Sequence, residues 1–409
     1  MKVLTGATLF DGTGGESLEN AVVIVENDRI LDVGAAPSIS FPAEAEVFDL
    51  KGLTLLPGLI DVHDHLGHNH YDLMDRWELD APNSYRHLRT AKVLEDVLDM
   101  GYTAVRDGGG LDIGFKRAVS EGLIPGPRLS LSLSLISPTG GLSDIRTPSF
   151  HCCPRPTSLS LPSGVADGPT AVRTKVREMC RLGADVIKCA STGGASSRDG
   201  HGPLDREFNK DELEALVDEA HKQGRRVMCH ALGGPGLRQA VEAGVDSIEH
   251  GTYLNKDPDL FSIMAGQNIY YVPTLLVYVF HRDNLREEVK IRARTLYNDH
   301  IQSVQQAQDA GVKVVAGTDA GGWGHPSNAG ELECLVNEAG LDTKQALLAA
   351  TGIAAQCLGW EKDIGTIEKG KLADLLAVKG DPLKDIGVLK SKKNIKLVVK
   401  GGAVHRDTR

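Results

Sequence analysis

Six residues with ligand or base chemistry stand far apart in this chain: His63, His65, Lys188, His230, His250 and Asp319. Neutral imidazole is the commonest metal ligand in proteins, and a carboxylate can both hold a cation and accept a proton from water. In the pair His63-x-His65, alternation along an extended segment puts both rings on one side. Taken alone, such a pair is also what two loop histidines look like, and His68 and His70 read that way. Added to His230, His250 and Asp319, the pair points to a metal site with imidazole and carboxylate ligands, for which zinc is the default ion. Lys188 is the odd member. An ammonium beside a cation is repelled, and burying it is costly. It either pairs with a nearby carboxylate, or its amine carries CO2 as a carbamate, an anionic ligand with two oxygens that can bridge two metals. Asp319 lies in Val315-Ala316-Gly317-Thr318-Asp319-Ala320-Gly321. Alone it reads equally as a helix cap; beside the histidines it reads as a ligand and general base.

These residues would have to be positioned by the elements before them. Gly58–Val62 is an apolar run that leads into the first histidines. Strand patterns then recur at 103–105, 128–136, 184–187, 226–229, 247–248, 269–274 and 313–316. Helical spacing recurs at 88–100, 172–182, 211–222, 237–243 and 291–310, with glycines 101, 183, 244 and 311 as stops. Strand and helix alternating through eight strands is the signature of an α/β fold, a (β/α)8 TIM barrel. In such a barrel the C-terminal strand ends open on one face, where active sites sit. His63, His65, Lys188, His230, His250 and Asp319 each fall at such an end. A doubly wound open sheet is the runner-up, but no glycine-rich phosphate fingerprint follows an early strand. Residues 138–169 contain many Pro, Ser and Gly, and the expectation is a loop over the barrel mouth.

The chain ends have a different texture. Val22–Val25 and Ile30–Val33 read as strands around an Asn27-Asp28 turn, and Leu375–Val378 and Ile395–Val399 are β-rich, with a turn at Lys400-Gly401-Gly402. A lone hairpin is barely stable in water, so residues 1–57 and 365–409 are expected to form one small β-sandwich beside a barrel over 58–364.

Composition narrows the function classes. The 409 residues are 41% hydrophobic and 24% charged, with net charge −10 and no basic run, which argues against nucleic acid as a partner. No segment approaches the roughly 20 apolar residues that span a bilayer, and the first residues are too polar for a secretion signal. Seven cysteines in no CxxC pattern argue against a disulfide framework, making a reducing cytoplasm the expected setting. Cys152-Cys153 have no evident base partner in sequence and are not read as nucleophiles.

The stretches LLPGLIDVHDHLG, ADVIKCASTGG, VMCHALGG, DSIEHGTYL and VVAGTDAG together resemble the amidohydrolase superfamily. The closing IGTIEKGKLADLLAVKGDPL is similar to that superfamily's return into its small β-module. Within the superfamily the chain most resembles the Xaa-Pro dipeptidase-like group. Members of that group act on dipeptides, on N-acylated amino acids such as ochratoxin, and on aryl-urea or thiocarbamate xenobiotics. The resemblance implies that His63, His65 and Asp319 bind the more buried of two divalent ions. It implies that His230 and His250 bind the more exposed one, and that carboxylated Lys188 bridges them. A hydroxide between the metals would attack the carbonyl of an amide or ester substrate, and Asp319 would take its proton to the leaving amine. Homo-oligomers are common among such relatives and are expected here.

Two departures bear on substrate. The relatives often carry a histidine after the third strand's Gly-Gly, where this chain has Gly140-Gly141-Leu142. Peptide-cleaving relatives place a tyrosine shortly after the fifth strand's His-Ala, where this chain has His230-Ala231-Leu232-Gly233-Gly234. Both changes remove polar contacts and shift the expectation from a free dipeptide toward a more apolar amide, carbamate or urea. Arg198, Asp199, His201, Tyr253, Trp323 and His325 are further pocket candidates, with a solvated loop or a packing side chain as the plain alternative. A mononuclear deaminase is the rival enzyme class, though its members usually lack the bridging lysine. A non-enzymatic scaffold leaves six ligand-type residues without a purpose.

Overall fold

The computed structural model describes residues 1–68, 82–144, 161–195, 201–284, 287–321 and 323–409. The N-terminal segment supplies strands β1 (Lys2–Leu9), β2 (Leu18–Glu26), β3 (Arg29–Ala35), β4 (Glu46–Asp49) and β5 (Leu53–Pro57). Valines and isoleucines make β2 a strong strand former, and Asn27 at φ 54° turns it into β3.

Eight further strands carry the centre of the molecule. Strands β6 (Leu59–Asp64), β7 (Tyr102–Asp107) and β8 (Arg128–Leu131) pair in parallel. So do β9 (Leu135–Ile136), β10 (Val186–Ala190), β11 (Arg226–Ala231), β12 (Ser247–His250) and β13 (Tyr270–Val272). Parallel neighbours need crossovers. Helices Asn83–Asp99, Gly168–Arg181, Lys210–Lys222, Gly234–Glu242 and Asp259–Gln267 are among those that provide them. Every residue of β6, β7, β10 and β12 is buried, as strands covered on both faces must be.

Two seams differ from the expected pattern. The run 128–136 is not one strand. Leu133 adopts φ 67°, so β8 pairs with β7 while β9 pairs with β10. The run 313–316 forms no ladder of its own, because its backbone groups are divided between two neighbours. Tyr271 N–H donates to Lys313 O at 3.0 Å and Val315 N–H to Tyr271 O at 2.8 Å, while Val62 N–H donates to Ala316 O at 3.1 Å. Extended backbone therefore links β13 to β6, and the arrangement is TIM-barrel-like.

The C-terminal strands β14 (Leu375–Lys379), β15 (Ile395–Lys400) and β16 (Ala403–Asp407) return to the N-terminal ones. One eight-stranded sheet results, ordered β16-β15-β14-β5-β1-β2-β3 with β4 beside β1. Leu4, Val23, Leu55, Leu375 and Leu397 form its own apolar cluster. In the expected mouth loop, residues 145–160 lie outside the described residues. Its flanks are tied together, with Ala166 N–H on Ser137 O at 3.1 Å and Thr139 N–H on Asp167 at 2.9 Å. Cys180, Cys189, Cys229, Cys334 and Cys357 are free thiols, while Cys152 and Cys153 lie outside the described residues. Among the described residues no helix is long and apolar enough to cross a membrane.

The shared sheet makes a prediction. Gly402 has φ 73°, and a Cβ there would lie 2.0 Å from Asn27 O at the β2–β3 turn. Gly402→Ala should cost about 1–3 kcal/mol through this clash and strain. Calorimetry should show a lowered Tm; an unchanged Tm would contradict the close meeting of the two ends.

Candidate metal centre

His63 lies in β6 and His65 just past its end, and the extended backbone sends both to the same side, with ring centroids 5.5 Å apart. Their target is Asp319. Its Oδ1 is 3.2 Å from His65 Nε2 and 3.5 Å from His63 Nε2. One atom from each of His63, His65 and Asp319 lies within 4.8 Å of the others, a spacing that can hold one ion. Asp319 arrives by a strained turn, at φ 54°, and is fastened by its own N–H to His63 O at 2.7 Å. Asp61 secures the same join. Its carboxylate accepts from Thr318 N and Oγ1 at 3.2 and 2.7 Å and from Asn328 Nδ2 at 2.7 Å.

Lys188, in β10, enters from the opposite side. It is 2% exposed, and its Nζ is 3.4 Å from His63 Nε2. It stands two residues before the end of β10 rather than at it. His250 ends β12 with φ 72°, which breaks the strand's alternation and lets its ring turn inward beside Glu249. Its centroid lies 5.1 Å from His63 and 4.5 Å from His230. The six sequence candidates thus gather in one buried space.

The outer nitrogens of the four rings are all engaged. His63 Nδ1–H donates to Glu249 at 2.7 Å and His65 Nδ1–H to Gly109 O at 2.9 Å. His230 Nε2–H donates to Gly193 O at 3.3 Å, and His250 Nδ1 bonds Thr274 Oγ1 at 2.7 Å. Carboxylate and carbonyl partners only accept, so the remaining nitrogen of His63, His65 and His230 is a lone-pair donor, while Thr274 holds the direction of the His250 ring. This is how ligating histidines are usually held, and the donor set fits divalent cations.

Electrostatics agree with that reading. Burial lowers His63 to about 4 and His230 to about 3, in each case helped by the Lys188 charge. Burial also lowers Lys188, against the pull of Glu249 and Asp319. Burial alone would raise Asp319, but the His65 hydrogen bond and the charges of His63 and His250 outweigh it and hold the carboxylate ionised.

Glu249 and Arg106 were not singled out from the sequence as site residues. Glu249 is wholly buried between His63 and Arg106, whose guanidinium it meets at 2.8 Å, with Ser247 hydroxyl as a third partner. Arg106 also donates to Val62 O. The available signal was a charge next to each strand's last residue, Arg106 before Asp107 in β7 and Glu249 before His250 in β12.

The weaker candidates divide. His325 is no pocket wall: its ring is inaccessible and Nε2 binds Asp64 at 2.8 Å. Trp323 stacks on Phe280 at 4.9 Å and donates to Ser327. Tyr253 is partly buried and covers Gly233, where a Cβ would come 2.7 Å from the Tyr253 Cβ. Leu142 turns its N–H onto Glu207 at 2.8 Å. His201 sits over Gly193, with its carbonyl 2.0 Å from where a Cβ there would be. Arg198, Asp199 and His70 lie outside the described residues. His68 is not a surface residue: it is 3% exposed and stacks on His65 at 5.3 Å.

Residues 54–404 match the model of the amidohydrolase family. This chain belongs to the amidohydrolase family. Membership makes it a hydrolase directed at carbon–nitrogen bonds. Ochratoxinase from Aspergillus niger is 32% identical over 96% of this chain and 84% of its own length. The crystal structure of that ochratoxinase superposes with a TM-score of 0.89, covering 100% of this chain and 96% of the other. A prolidase solved with N-methylphosphonate-L-proline gives 0.90 at 30% identity, with full coverage of both chains. A Xaa-Pro dipeptidase solved with methionine bound in its active site gives 0.87 at 31% identity, covering 98% of this chain and 99% of the other.

Glu249 supplies the test of this amidohydrolase site. Glu249→Gln keeps the shape but removes the charge that holds His63 Nδ1–H and Arg106. Metal affinity, read by competition with a chelator, should fall 10–100-fold; affinity equal to wild type would contradict its positioning role.

Proposed function

We propose that this amidohydrolase holds two divalent cations, zinc by default, and hydrolyses amides of N-acyl amino acids with an apolar acyl group. The convergence of His63, His65 and Lys188 on one space beside Asp319 carries this reading. His63, His65 and Asp319 would hold one ion, His230 and His250 the other, and Lys188 would join them as its carbamate. Burial that favours the neutral amine of Lys188 suits that modification. Such cations would supply an activated water and polarise the scissile carbonyl.

The chain's own residues do the rest. Asp319, ionised and close to the His63 and His65 imidazoles, accepts the water proton and delivers it to the leaving nitrogen. Glu249 and Thr274 keep the rings of His63 and His250 aimed. Leu142 and Leu232 stand at the two sequence positions where relatives of this group often carry a polar side chain. Leu142 N–H is occupied by Glu207, and Tyr253 covers Gly233.

A second reading, hydrolysis of aryl-carbamates, aryl-ureas or thiocarbamates, draws on the same two leucines. The mononuclear deaminase reading accounts less well for a buried lysine in contact with a candidate ligand. We also take residues 1–57 and 365–409 as one module, a β-sandwich built on the shared sheet, beside a closed barrel over 58–364.

The test is a hydrolysis screen of metal-loaded enzyme against N-acyl amino acids, dipeptides, aryl-carbamates and aryl-ureas. N-acyl amino acids should turn over fastest, and a preference for free dipeptides would contradict the substrate reading. Asp319→Asn should lower kcat on the best substrate by about 10²–10⁴-fold. A raised KM with kcat retained would contradict its role in proton transfer.

A further inference from the structure

A second cavity lies beside the residues that precede or open β10 and β11, with Arg106 and Ser130 reaching it from within β7 and β8. Its volume is about 340 Å³, and its lining includes Arg106, Arg225, Arg226, Asp185 and Trp360. Arg226 opens β11 and Arg225 precedes it, while Asp185 precedes β10. None of these residues was absorbed by the hydrolytic site, except that Arg106 reaches from this cavity to Glu249.

Two of the lining's charges are already paired. Arg106 is matched by Glu249. Asp185, the carboxylate of the lining, is already held by Lys116 Nζ at 2.6 and 2.8 Å and by Leu131 N–H at 2.9 Å. Arg226 donates to the carbonyls of Gln356 and Cys357 at 2.5 and 2.7 Å and bonds the Tyr270 hydroxyl, all neutral partners. Arg225 lies against the Cys180 thiol, a neutral neighbour whose pKa burial raises. Its Nε is fully buried and has no hydrogen-bond partner. A buried guanidinium nitrogen left open is costly, and the side chain that carries it is part of the lining of a space large enough for a small molecule.

From this we propose that the cavity is a binding site for a small organic carboxylate, taken by Arg225 and Arg226 with its apolar part against Trp360. Two guanidinium forks match the planar, two-oxygen geometry of a carboxylate better than a point-charge site would. Val186 and Leu358 add apolar wall for the body of such a ligand. The site is separate from the six converging ligands, and it holds whether or not the hydrolytic reading does. Its occupant would share Arg106 with Glu249 and so sit one side chain from His63.

Benzoate is the probe, because a metal centre also attracts carboxylates and location must be read directly. Crystals of the full chain soaked in 4-bromobenzoate should show an anomalous bromine peak beside Trp360 and Arg225. Titration calorimetry with benzoate should give saturable binding that weakens at least tenfold in Arg225→Gln and partly in Arg225→Lys, which keeps charge but loses the fork. Both variants should melt near the wild-type temperature; if Arg225→Gln does not fold, the bromine position and Arg225→Lys decide. Bromine only at the metal centre, no saturable binding to wild type, or equal binding by the variants would overturn the proposal.

Discussion

The centre depends on one arrangement: each inward imidazole has its outer nitrogen fixed to the protein. Glu249, the Gly109 and Gly193 carbonyls and Thr274 take one ring nitrogen each. A ring held by a carboxylate or carbonyl keeps one tautomer and one direction, which leaves lone pairs on His63, His65 and His230 for the space that Asp319 and Lys188 share, and Thr274 holds the direction of His250. Without those partners the same histidines would be buried polar groups with no fixed role.

That arrangement sets requirements on the fold. Glu249 can be buried as an anion because Arg106 meets it, and Arg106 can be buried because Val62 O and Ser247 take its other contacts. Positive φ at His250, Thr274 and Asp319 costs backbone free energy in non-glycine residues. Strain at three residues around one centre is what a constrained functional site shows. Strands β6, β7, β10 and β12 bear it because they are buried along their whole length.

Much of this was legible in sequence. Strand and helix alternation is a period effect, so β6, β7, β10, β11 and β12 and the helices between them followed from apolar spacing. The ligand-type residues were visible because their types are rare at strand ends. What stayed hidden depends on contacts between distant segments. Nothing local marks Leu133 as the break between β8 and β9, or shows that 313–316 divides its hydrogen bonds between two strands. His325 looked like a pocket wall because it follows Asp319 closely, yet it turns to Asp64 on β6. His68 looked solvated because its neighbours are polar, yet it lies under the His65 ring. Depth was the missing variable in both, and also for Glu249, whose value lies in being wholly enclosed.

The most direct check on the account is a count of metal in purified wild-type protein and in Lys188→Ala, by atomic emission after exhaustive dialysis. If the gathered side chains share a pair of ions bridged through Lys188, wild type should retain about two per chain and the variant clearly fewer. One ion per chain in both proteins would contradict it.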